Sequence, residues 1–164
     1  MNFLTINNEK LRIKNIIRLL VFFIAIILLG ACAVKEQVQT VDDKYSKVSI
    51  NNIDILVEVV DTAETRRLGL SYREELDKNA GMLFDMQTRA MTSFWMKEMK
   101  FSLDIIWIDG DTIMNISKNL PPAGSQPGIS YSSEFLIDYV LEVDGGFCEE
   151  NNINIGDKVI FDIN

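Results

Sequence analysis

The chain has 164 residues, 48% of them apolar, two cysteines, no histidine and a net charge of −8. That length suits one domain with its own core, and the acidic balance repels phosphate backbones, which excludes nucleic-acid binding through a basic patch. Without histidine, Ser-His-Asp and Cys-His catalysis and the usual zinc, copper and non-haem iron ligand sets are excluded, so any chemistry runs on carboxylates, Lys, Tyr, Ser, Thr or Cys.

Residues 1–31 read as a lipoprotein signal peptide. Lys10, Arg12, Lys14 and Arg18 would stay on the cytoplasmic side, the apolar run 19–29 enters the membrane, and Gly30 and Ala31 admit a peptidase before Cys32. The Cys32 thiol would then carry the lipid that anchors the protein to the cell membrane or outer membrane, on its extracytoplasmic face. An uncleaved transmembrane anchor or a plain cleaved signal would use the same residues, and all three export the same domain. Residues 32–47 are polar without apolar period and read as a tether; residues 48–164 form the single domain. From Cys32 onward, 12 Lys and Arg face 23 Asp and Glu, a net charge of −11.

Within the domain, residues 48–60 alternate and are rich in Val and Ile, which predicts one or two strands. Asp61 or Thr62 then caps a short helix over 63–70, with Glu64 in its first turn. A helical or irregular turn over 72–79 leads through Gly81 into Met82-Leu83-Phe84. Strands follow at 93–97, 103–109 and 112–118, the last two joined by the tight turn Asp109-Gly110-Asp111. Residues 119–133 read as one long loop holding Pro121, Pro122, Pro127 and Tyr131, the kind of segment that often carries function. A strand over 139–144, a short helix around 147–151 and a strand over 158–163 close the chain. No regular alternation of strand and helix suggests a parallel sheet. The expected fold is mostly β, a β-rich α+β domain forming a compact antiparallel barrel or jelly-roll-like sandwich with two or three short helices.

The ordered series Val57-Glu58-Val59 with Asp61-Thr62, Arg66 with Gly69-Leu70 and Arg73, Gly81-Met82-Leu83-Phe84, Phe94-Trp95-Met96-Lys97, Leu103-Asp104, Pro121-Pro122 and Tyr139-Val140-Leu141-Glu142-Val143 with Gly145 or Gly146 resembles the bacterial and archaeal domain of unknown function 192 (DUF192). The resemblance covers nearly all of residues 48–164 and implies a jelly-roll-like or barrel-like domain, commonly exported or membrane-tethered, without a settled activity. The chain departs from the usual pattern at Lys97-Glu98-Met99, where Lys-Asn-Thr is usual, and at Ser102, where Pro is usual. An amide and a hydroxyl that the usual motif could offer a ligand are thus absent.

The candidate site residues follow from strand geometry. Leu103, Ile105 and Trp107 share one strand face, so Asp104 shares the other with Ile106 and Ile108. Glu142 likewise lies between Val140 and Asp144 on one face, with Leu141 and Val143 on the other. A carboxylate on a strand apolar on both faces needs a partner: Arg66, Lys97 or backbone amides for Asp104, and an Arg66 or Arg67 bridge for either acid. We expect Arg66, Lys97, Asp104 and Glu142 to gather as a structural ion network. The alternative is that Asp104 and Glu142 converge as an acid–base pair acting on polysaccharide. Arg66, Trp95, Lys97, Asp104, Tyr131 and Glu142 are the candidate binding residues, with Trp95 and Trp107 more readily read as core than as sugar-stacking platforms. The six methionines from Met82 to Met114 read as core filling rather than a Cu(I) site, and Cys148, beside Phe147, as a packed thiol rather than a reactive one. No cofactor and no metal are expected. The sequence therefore points to an envelope lipoprotein whose domain binds a small ligand, a glycan or a protein partner, with a carboxylate-based enzyme as the alternative.

Overall fold

A computed structural model describes Lys14, Arg18 and residues 46–125 and 128–163; Cys32, the rest of the signal segment and most of the tether lie outside the described residues. The chain divides into the units Met1–Asp42 and Asp43–Asn164; of the first, Lys14 and Arg18 are helical and exposed. The second unit is mostly β, a curled seven-stranded sheet forming a half-barrel. Its elements are β1 (Ser46–Ile50), β2 (Ile53–Val60), α1 (Ala63–Leu68), β3 (Ala80–Ala90), β4 (Ser93–Trp95), β5 (Leu103–Asp109), β6 (Thr112–Leu120), β7 (Ser130–Ser132), β8 (Ile137–Asp144), α2 (Phe147–Glu150) and β9 (Val159–Asp162). Ser46 and Lys47, the end of the expected tether, are already strand.

The large sheet runs β6-β5-β8-β3-β2-β1-β9, and β4 pairs with β7 in a separate ribbon. Its two edges meet at one end. There Thr112 bridges Lys158, and the Ile113 and Val159 amides donate to the carbonyls of Asp157 and Asp111 at 3.0 and 2.9 Å. One pairing departs from the sequence expectation: β2 and β3 are parallel, joined through α1 and the turns after it. A parallel pair needs a long crossover, and residues 61–79 supply one. The expected 119–133 loop is also shorter, because β6 continues to Leu120 and β7 forms within it.

The curl has an apolar interior of Val48, Ile50, Ile55, Val57, Leu83, Ile106, Ile108, Leu141 and Val143, closed by Phe147, Cys148 and Ile153 from and after α2. On the other face, Met82, Phe84, Leu103, Ile105, Trp107 and Val140 form a second core under Leu70, Met96 and Met99. That cover is held by backbone bonds, Tyr72 donating to Glu98 and Ala123 to Met96, and by the Ser71 hydroxyl donating to the Lys97 carbonyl. Phe94 of the ribbon stands edge-on between Phe84 and Trp107, at 4.8 and 5.6 Å. Buried on both faces, β5 reads as a continuous apolar run broken only by Asp104.

Candidate functional site

Asp104 and Glu142 sit on neighbouring strands, β5 and β8, and the pleat sends them to opposite faces. Asp104 pairs across the ladder with Val143 and joins the interior side, whereas Glu142 pairs with Ile105 and Met82 and joins the outer side. The acid–base pair therefore does not form, because a one-residue offset in a ladder places a sheet between two side chains.

Asp104 is fully buried, and its partners are backbone amides. Its Oδ1 accepts from Asn119 at 2.7 Å and Gly146 at 3.1 Å, and its Oδ2 from Cys148 at 2.8 Å. The N-cap of α2 is Gly146, which has no side chain to satisfy the first helical amides, and the carboxylate of Asp104 reaches across from β5 to do so. Asp104 is a staple joining β5, β6 and α2. Burial, with the Asp104 carboxylate beside it, pushes the Cys148 thiol well above its ordinary value, and Cys148 is packed in the core with no exposed surface.

The expected ion network is absent. Arg66 donates instead to the carbonyls of Asp61 and Asp85, the latter at 2.8 Å, pinning α1 to the middle of β3. Lys97 lies over the Trp95 ring, 5.7 Å from its centre. Backbone oxygens and an aromatic face satisfied the cations at shorter reach than two carboxylates on a buried sheet could. A different pair does the anchoring: Arg73 holds Glu58 of β2 with two bonds of 2.6 and 2.9 Å.

What remains is Glu142, 4% exposed, and among the described residues none hydrogen-bonds or ion-pairs with its carboxyl. Burial alone raises its pKa to about 8. It lines a cavity of about 370 Å³ whose walls are Phe84, Met86, Phe94, Met99 and Leu70 and whose outer part carries Arg66, Arg67, Ser93 and Trp95. Local sequence shapes this cavity. The Thr62 hydroxyl accepts from the Thr65 amide at 3.1 Å while the Thr65 hydroxyl accepts from the Thr62 amide at 3.2 Å, so α1 starts sharply; it buries none of its residues. At its end Gly69 takes φ +53, a conformation that L side chains rarely adopt, and the chain folds back so that Leu70 enters the core. Under Glu142, Gly81 lets β3 and β8 approach: a Cβ there would stand 2.6 Å from the Glu142 carbonyl oxygen.

Trp95 is 48% exposed at the cavity, not core as its sequence context suggested, whereas Trp107 is fully buried with its indole N–H on the Ser117 hydroxyl at 3.1 Å. Three-residue strands cover only one face of each other, so Phe94 turns inward and Trp95 outward. Tyr131, paired with Phe94, packs against the outer core rather than lining the cavity. Of the candidate binding residues, the structure thus brings Arg66, Trp95 and Glu142 together and leaves Lys97, Asp104 and Tyr131 outside the cavity wall. Sequence reading missed Phe84, Met86, Phe94 and Met99 as lining; the signal for them was the break at Gly69-Leu70 after a helix with no apolar face of its own.

Residues 46–161 match the family model DUF192, described as "Uncharacterized ACR". Two crystal structures are similar: a Sinorhizobium meliloti 1021 protein described as a candidate transcription regulator, and a protein of unknown function from Novosphingobium aromaticivorans DSM 12444. The first is 27% identical with a TM-score of 0.66, over 71% of this chain and 93% of that one. The second is 29% identical with a TM-score of 0.66, over 71% and 84%. No curated protein matches.

Proposed function

Since the chain belongs to the uncharacterised DUF192 family, and its site must therefore be read from its own residues, we propose that it is a non-catalytic, lipid-anchored envelope protein whose domain binds a small ligand in the cavity over Glu142. The observation that carries the reading is Glu142, 4% exposed as a residue, whose carboxyl opens onto a cavity walled by aromatic and methionine side chains and has no hydrogen-bond or ion-pair partner among the described residues. In a cavity with apolar walls such a group is less well solvated than in bulk water, and a ligand that completes its hydrogen bonding recovers part of that cost. The cavity lies within the size range of small-molecule sites and combines an apolar wall with few polar groups, which suits specificity. Anchoring rests on the motif Leu29-Gly30-Ala31-Cys32 and on the polar segment that follows.

A two-carboxylate hydrolase has no support, since Asp104 serves as a staple on the far face of the sheet. The transcription-regulator description of one neighbour does not carry over to a domain of net charge −11, which repels DNA. The test is a thermal-shift screen of the full chain in detergent against the low-molecular-weight fraction of an envelope extract. Wild type should melt higher in at least one fraction, and Trp95→Ala should lose that shift while folding normally; equal shifts in both proteins would place binding elsewhere.

A further inference from the structure

The two ends of the same cavity specify a ligand class, and this inference rests on the binding reading above. We propose that the cavity takes a zwitterionic amine, its ammonium group against Glu142 at the buried end and its anionic group beside Arg67 at the exposed end. A hydroxyl can hydrogen-bond the protonated Glu142 carboxyl, but only a cation stabilises its ionised form, which is the one chemistry that distinguishes a carboxyl from an amide at this position. A neutral ligand would be served as well by an uncharged amide at this position, with no unpaired carboxyl to carry in the free protein. An ammonium brings both donors and charge, and forms a desolvated, charge-assisted pair in a site with apolar walls.

Among the described residues no cation pairs with the carboxyl. Across the ladder β3 presents Met82 and β5 presents Ile105. The ribbon and the turn after it bring Phe94 and Met99, none of which titrates. The charged groups at the cavity are Arg66 and Arg67 on α1. Arg66 is committed to two backbone carbonyls, whereas Arg67 is exposed and has no hydrogen-bond or ion-pair partner among the described residues. An ammonium therefore finds its counter-charge inside, and an anion finds its own outside. Because Glu142 is mostly protonated at neutral pH, the ammonium must displace its proton to solvent.

Four probes of one length separate the two ends: 6-aminohexanoate, 6-aminohexanol, 6-hydroxyhexanoate and hexanediol. Titration calorimetry on the full chain in detergent, in two buffers of different ionisation enthalpy at pH 7, reads affinity and proton release together. Both amines should bind at least tenfold tighter than their hydroxyl counterparts and release close to one proton each. Glu142→Gln should erase the amine preference, and Arg67→Ala should erase the preference of 6-aminohexanoate over 6-aminohexanol. If the hydroxyl probes bind as well as the amines, with no proton release and with dependence on Trp95, the ammonium inference falls while the cavity remains a binding site. If no probe binds, the inference falls, and the extract screen decides separately whether the cavity binds anything.

Discussion

Replacing Asp104 should separate a backbone staple from an ion pair. Its two oxygens accept three amide hydrogen bonds, from Asn119, Gly146 and Cys148, at a fully buried position. Asp104→Ala removes the acceptor of the buried Cys148 amide and of the part-buried Asn119 and Gly146 amides, each loss worth roughly 1–3 kcal/mol, with water able to enter part of the vacated space. We expect a loss of about 4–5 kcal/mol. Asp104→Asn keeps one carbonyl oxygen, which can stay on Asn119 and Gly146 while its amide nitrogen faces the Cys148 N–H. One bond is lost and two donors oppose each other, so the loss should be about 2–3 kcal/mol, intermediate between wild type and Ala. Urea unfolding at pH 7, followed by far-ultraviolet circular dichroism, measures both. Arg66→Ala combined with Asp104→Ala should show no coupling beyond about 0.5 kcal/mol, because the two side chains share no partner. An Ala variant within 1 kcal/mol of wild type, an Asn variant as damaging as Ala, or strong coupling to Arg66 would refute the staple.

Glu142 makes the free domain sensitive to base. Its pKa rises from 4.5 to about 8 on folding, so the folded state holds a proton the unfolded state has released; stability is full below pH 4.5, falls through the window up to pH 8 and then levels off. Glu142→Gln should therefore match wild type near pH 4.5 and exceed it by about 3 kcal/mol at pH 7, an order-of-magnitude figure that unfolding at the two pH values checks. Gly81→Ala should cost about 2–3 kcal/mol, since its Cβ would stand 2.6 Å from a carbonyl oxygen and 3.2 Å from the side chains of Leu141 and Val143; a lowered urea midpoint is the readout. Feeding cells a palmitate analogue should label wild type and not Cys32→Ser, and label persisting in the variant would contradict lipidation at that residue.

The strands were legible because their side chains alternate between two apolar layers. The bounds of β5 at 103–109 and the turn at Gly110 could be read directly, since every second residue from Leu103 belongs to one core and the glycine takes φ +58. Pairing was not legible. Nothing in residues 53–60 or 80–90 distinguishes a parallel from an antiparallel neighbour, because a strand's own side-chain pattern does not encode its partner's direction and the choice is made by the crossover between them. β7 was hidden in a Pro-containing segment because its three residues are held by β4, not by their own propensity. For the site, sequence identified Asp104 and Glu142 as carboxylates in need of partners, and the need was real. Which partner answers depends on the face each occupies and on where Gly146 begins α2, so one acid became a staple and the other has no partner among the described residues.

The claim that the cavity over Glu142 is a binding site is tested most directly by methyl NMR of the methionines, titrated with the envelope-extract fraction that raises the melting temperature. Met86 and Met99 line the cavity, Met114 packs against the outer core without lining it, and Met91 is exposed and not part of the lining. Shifts at Met86 and Met99 and at the Trp95 indole, with Met91 and Met114 unmoved, are the predicted result. Shifts confined to Met91 or Met114, or a thermal effect with no shift at Met86 and Met99, would contradict it.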